Sequence, residues 1–231
     1  MHRRRWLFAV TLSLLAGRSF AEDALPAQSE YEPPQGKGQL VVFISGQSGP
    51  GNYAHVAKDL AAKGYYTVLL DGNEIFVKGG AGEGRLRGVL ERSLQSPHAL
   101  PGKAAVVGAS LGGGATIAYA ARMPDLVAAA VAFYPYTAFI TDPRAFVAKI
   151  KVPTLVLAGA RDTYKNCCVI ETARRLAEEA KSAGGDPVLE LHEYPDAEHG
   201  WDIQKPKEYR SDIAADSLRR TLEFLQRHPG S

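Results

Sequence analysis

One short segment of this sequence has the residue types and spacing for covalent chemistry: Gly108-Ala109-Ser110-Leu111-Gly112. A G-x-S-x-G pattern suits a strand that turns abruptly into a helix. The glycines two before and two after the serine keep side chains out of the bend, and the hydroxyl projects above the sheet. The flanks agree: Ala104-Ala105-Val106-Val107 reads as a short buried strand, and Gly113 to Ile117 begins a helix with small residues. Two other glycine-rich turns fail on required positions. A phosphate-binding P-loop needs Lys-Ser/Thr after its last glycine, where Ala115-Thr116 stands. The dinucleotide pattern needs glycine at position 110.

A serine hydroxyl attacks well only when a base takes its proton and an acid orients that base. On a strand–turn–helix scaffold of this kind the chain order is serine, acid, histidine. Three histidines follow Ser110. His192 falls inside an expected strand and His228 in the tail. His199 sits in Pro195-Asp196-Ala197-Glu198-His199-Gly200-Trp201, a loop just past the last strand, and is the expected base. Asp162 follows the apolar run Thr154 to Ala158 and is the expected acid. Asp196, Glu198 and Asp202 compete for that role but read as solvated loop residues. The tetrahedral intermediate needs two donors. The backbone N–H of Leu111 is one. The other is expected from Ser45-Gly46-Gln47-Ser48-Gly49, at Gln47, with Gly46 as alternative. Tyr134 and Trp201 are candidate substrate contacts, with Tyr136 and Phe76 as further wall candidates.

The elements that would carry these residues alternate. Leu40 to Ile44 is a continuous apolar run, as befits a strand covered on both faces. Further strands are expected at 66–70, 104–107, 126–133, 154–158 and 188–194, and helices at 52–63, 82–94, 112–122, 166–182 and 206–226. Repeated strand–helix units imply an α/β fold whose mostly parallel sheet has helices on both faces and its site at the carboxyl ends of the strands. No stretch is long enough for a large cap domain.

The chain start reads differently. His2 to Arg5 is basic, Trp6 to Ala16 is apolar, and Ser19-Phe20-Ala21 suits a signal peptidase. A secretory signal over 1–21, cleaved after Ala21, is the expectation, with a flexible leader over 22–38 and one domain over 39–231. The chain has 27 basic and 25 acidic residues. Loss of Arg3, Arg4, Arg5 and Arg18 would leave 23 against 25. Nothing then asks for nucleic acid or an anionic membrane as partner, and no pattern calls for a metal or cofactor. Cys167 and Cys168 are neighbours and the only cysteines. They cannot staple the fold; a vicinal disulfide, a reduced buried pair and a bridge between chains all stay open.

In order, the Ser45–Gly49 loop, Gly108-Ala109-Ser110-Leu111-Gly112-Gly113, Ala158-Gly159-Ala160-Arg161-Asp162 and Asp196-Ala197-Glu198-His199-Gly200-Trp201 resemble the dienelactone hydrolase family of small α/β-hydrolases, from Gly38 onward. Dienelactone hydrolases proper use a cysteine nucleophile where this chain has Ser110, and the His-Glu often found after their first strand is missing here. The resemblance therefore implies a carboxylesterase for small or medium esters or lactones rather than for dienelactone, and the expected signal segment places it in the periplasm or outside the cell. The 40–76 region is also similar to periplasmic VirJ-type hydrolases, which act on lipids. A peptidase or amidase with the same three residues, or a non-catalytic binding module, would share these features.

Overall fold

The computed structural model describes residues 25–77, 79–183, 188–205 and 207–230. The expected signal segment, 1–21, lies outside the described residues. The chain forms a seven-stranded sheet. In sequence order the strands are β1 (Gln28–Tyr31), β2 (Leu40–Ile44), β3 (Tyr66–Leu70), β4 (Ala104–Ala109), β5 (Val127–Phe133), β6 (Thr154–Gly159) and β7 (Leu189–Tyr194). Their spatial order is β1-β3-β2-β4-β5-β6-β7, with β1 antiparallel to β3 and all other pairs parallel.

The apolar runs form strands because both faces are covered. Every residue of β2 is fully buried. Alternation at period two sends Leu40, Val42 and Ile44 to one face and Val41 and Phe43 to the other. The first face packs on α3 (Ala81–Leu94), α4 (Leu111–Ala118), α5 (Pro143–Val147) and α6 (Ile170–Ser182). The second packs on α1 (Ala54–Ala62) and α7 (Ser211–Arg227). One turn of helix, α2 (Gly72–Ile75), follows β3 and is capped by the Asp71 side chain. The α6 repeat buries Ile170, Ala173, Leu176, Ala177 and Ala180, a stripe at helical spacing.

One expectation is corrected. The leader over 22–38 is not a free tail in its described part. Gln28–Tyr31 pairs antiparallel with β3 at Thr67–Leu70, and the Tyr66 hydroxyl donates to Glu30. Gly38 then bridges to Ala99. The helix expected from Asn166 begins at Ile170, preceded by a short turn in which Lys165 and Asn166 take positive φ.

The strand order fixes where a site belongs. From β2 the chain steps to β3 on one side, then returns past β2 to β4 on the other. The loops after β2 and β4 diverge, and open α/β sheets have their crevice at such a switch point.

Candidate active site

Ser110 lies at that point. β4 ends at Ala109 and α4 begins at Leu111, so the entire turn falls on the serine. Its backbone has φ 53° and ψ −113°. A non-glycine residue held there costs about 1–3 kcal/mol and persists only when its surroundings over-determine it. Here they do. Ser110 N–H donates to the Phe133 carbonyl at 2.9 Å, and its own carbonyl accepts from Gly114 at 2.9 Å and Tyr136 at 2.8 Å. A Cβ at Gly112 would sit 2.1 Å from the Ile44 carbonyl oxygen, so only glycine lets the start of α4 rest against the end of β2.

The loop after β7 brings His199 over the serine. His199 Nε2 lies 2.9 Å from Ser110 Oγ, and Nδ1 lies 2.7 Å from Asp162 Oδ2. Asp162 follows β6 with a fully buried side chain; the imidazole is 12% exposed. The Tyr164 N–H donates to the other Asp162 oxygen at 3.0 Å, which fixes the carboxylate plane. A carboxylate on Nδ1–H leaves Nε2 with its lone pair toward the hydroxyl, the tautomer a general base needs.

Two aromatic rings confine the imidazole. Tyr164 stacks on it at 4.6 Å and 10°, and Tyr134 meets it edge-on at 4.6 Å. Neither expected substrate contact reaches the cleft surface. Tyr134 is fully buried and Trp201 is 1% exposed, and the two pack against each other behind His199. Tyr136 and Phe76 join a separate aromatic cluster with Phe139. Tyr164 is the wall residue that sequence reasoning missed. Its place two residues after the expected acid was the available signal.

Asp202 departs from expectation too. It is not solvated: it is 2% exposed and accepts a hydrogen bond from the Tyr134 hydroxyl. Burial raises its pKa to about 6. It does not compete for His199, whose Nδ1 belongs to Asp162.

Gln47, Ser48, Tyr53, Ser110, Tyr164 and His199 line a cleft of about 340 Å³. The Gln47 loop is pinned by the Asn73 side chain, which donates to the Gln47 carbonyl at 3.1 Å. Leu111 is the first residue of α4, where a backbone N–H has no partner within the helix. Cys167 and Cys168 are joined by a disulfide. Ligand atoms of Asp162, Cys168 and His199 lie within 4.8 Å of one another, but a disulfide sulfur is no thiolate and makes a poor metal ligand.

Residues 80–229 match the family model described as the dienelactone hydrolase family. The chain belongs to that family. A dienelactone hydrolase family member is a hydrolase of ester bonds, and this chain is one. A search of the curated proteins finds no match to this sequence. Among solved structures, a Klebsiella pneumoniae protein assigned as a dienelactone hydrolase superposes with TM-score 0.70 at 19% identity, covering 87% of this chain and 99% of its own. The Thermogutta terrifontis esterase Est2 with butyrate bound gives TM-score 0.65 at 18% identity, over 87% and 88%. Est1E from Butyrivibrio proteoclasticus gives TM-score 0.65 at 15% identity, over 86% and 94%. At these identities the likeness establishes the fold. Among the described residues no helix is long and apolar enough to cross a membrane.

Proposed function

We propose that the protein is an exported carboxylesterase acting on small or medium carboxylic esters or lactones through an acyl-enzyme on Ser110. The unbroken hydrogen-bonded chain Ser110–His199–Asp162, at 2.9 and 2.7 Å, carries this reading. His199 takes the hydroxyl proton as Ser110 Oγ attacks the ester carbonyl. The backbone N–H groups of Leu111 and Gln47 hold the oxyanion. The carbonyl re-forms, the C–O bond to the alcohol breaks, and His199 protonates the leaving alcohol. His199 then activates a water, which releases the acid and restores the serine. Asp162 keeps the imidazole in one tautomer throughout. The confined cleft favours modest substrates.

Export rests on the basic-then-apolar start of the chain and its Ser19-Phe20-Ala21 site. The Cys167–Cys168 disulfide supports an oxidising compartment. Amino-terminal sequencing of protein recovered outside the cytoplasm should begin at Glu22; a chain retained with Met1 refutes export.

The deciding experiment labels the folded protein with a fluorophosphonate, then screens p-nitrophenyl esters of increasing acyl length, lactones and an anilide. Labelling at Ser110 and turnover of short esters are expected, with Ser110→Ala folded but inactive. Turnover retained in Ser110→Ala refutes the assignment. Faster anilide than ester cleavage would make the enzyme an amidase instead.

A further inference from the structure

A tyrosine absent from the three-residue chain lies beside the nucleophile. Tyr53 ends the short turn after the Ser45–Gly49 loop and leads into α1. Its ring is 1% exposed and packs on Phe43 at 5.8 Å, which fixes its direction. The residue nevertheless lines the cleft together with Ser110 and Gln47. Gly46 shows how close the hydroxyl comes. A Cβ built there would lie 2.4 Å from Tyr53 Oη and 3.2 Å from Ser110 Cβ. The missing side chain at 46 leaves a gap bordered by both the phenol and the serine.

We propose that the Tyr53 hydroxyl is a third hydrogen-bond donor to the oxyanion, beside the N–H groups of Leu111 and Gln47, and that the buried Tyr134–Asp202 pair positions it. The proposal rests on the esterase reading of Ser110. Tyr53 keeps its proton across the working pH range, because burial and the nearby Asp202 charge both push its pKa upward. The Tyr134 hydroxyl gives its proton to Asp202 and lies next to the Tyr53 hydroxyl. At rest the neighbour of Tyr53 is thus a neutral hydroxyl. When negative charge develops on the substrate oxygen, that oxygen becomes the stronger acceptor, and the hydrogen bond gains most in the transition state. The groups facing Tyr53 are Ser48 and Gly46 on its own loop, Tyr134 after β5 and Asp202 after His199.

The test pairs Tyr53→Phe with a transition-state analogue, a trifluoromethyl ketone. Ser110 Oγ adds to its carbonyl carbon, the carbonyl pair becomes an oxyanion, and the hydroxyl proton passes to His199. Tyr53→Phe should lower kcat about tenfold or more, less than the 10²–10³ typical of a lost principal donor, with KM nearly unchanged. Ketone affinity should weaken by a similar factor. Placing 3-fluorotyrosine at 53 keeps the donor and should keep turnover, which maintains the test if the phenylalanine variant fails to fold. Unchanged kcat in Tyr53→Phe overturns the proposal, as does a fall in kcat with ketone affinity intact, or loss of turnover with 3-fluorotyrosine. Turnover in Ser110→Ala would instead defeat the underlying esterase reading.

Discussion

Replacing Asp162 by Asn tests the hydrogen-bonded chain at its buried end. The carboxylate has two fixed partners, His199 Nδ1 at 2.7 Å and the Tyr164 N–H at 3.0 Å. Both are donors, and asparagine offers one acceptor oxygen. If the amide oxygen stays on Tyr164, the NH₂ faces Nδ1. The imidazole must then accept there and carry its proton on Nε2, where it cannot take the Ser110 proton. That tautomer error costs about 10⁴ in kcat, or roughly 5 kcal/mol of transition-state stabilisation. If the amide flips to serve His199, the Tyr164 N–H loses its acceptor at a cost of about 1–3 kcal/mol. Rates would then fall by about 5- to 150-fold. The expected loss in Asp162→Asn therefore lies between these limits, with KM little changed. Steady-state hydrolysis of p-nitrophenyl acetate measures it, with circular dichroism to establish folding. A folded variant with kcat within about threefold of the parent would refute the assignment of Asp162, since neither amide orientation is that cheap.

Three further outcomes follow from other contacts. Gly112→Ala forces a Cβ to 2.1 Å from the Ile44 carbonyl oxygen; overpacking against backbone should cost about 3 kcal/mol or more and lower Tm by several degrees, read by thermal denaturation. The Asp202 pKa, raised to about 6 from 3.8, means the folded state holds this proton more tightly than the unfolded state does. Its contribution is fully present below pH 4 and is lost as pH rises through 6, by up to about 3 kcal/mol. Asp202→Asn should remove that loss, so urea midpoints at pH 4 and pH 7 should differ less in the variant; an identical pH dependence in both proteins would count against a buried, titrating Asp202. Reduction of Cys167–Cys168 by dithiothreitol should lower kcat severalfold while leaving Tm nearly unchanged, because the bond closes no loop but its Cys168 sulfur abuts Asp162 and His199. Unchanged turnover in fully reduced protein, checked by mass, would show that the bond does not hold the acid loop.

What could be read from the sequence was what short-range sterics dictate. The Ser110 bend is such a case, since the close approach of Gly112 to β2 admits no side chain and a glycine must appear. Asp162 was legible because it follows the continuous buried run of β6, and His199 because it is the histidine after Ser110 that falls in a loop past the last expected strand. Three features depended on distant partners. The strand β1 is polar, Gln-Ser-Glu-Tyr, and exists because β3 offers its edge some 40 residues later. The burial of Asp202 requires the Tyr134 hydroxyl, 68 residues away, and neither residue announces the other. The aromatic identities of Tyr134 and Tyr164 could not say which ring faces solvent; one is wholly covered and the other is 42% exposed.

The hydrogen-bonded residues come from loops after β4, β6 and β7, and the Gln47 loop from after β2. The nucleophile and its base thus come from segments 89 residues apart, and the centre is complete only when those segments meet. A growing or threading polypeptide stays chemically silent until β7 has docked on β6 and the loop after it has brought His199 to Ser110. Turnover therefore reports complete tertiary assembly. In refolding experiments its recovery should trail the return of helical signal, marking the last long-range docking step rather than the first collapse.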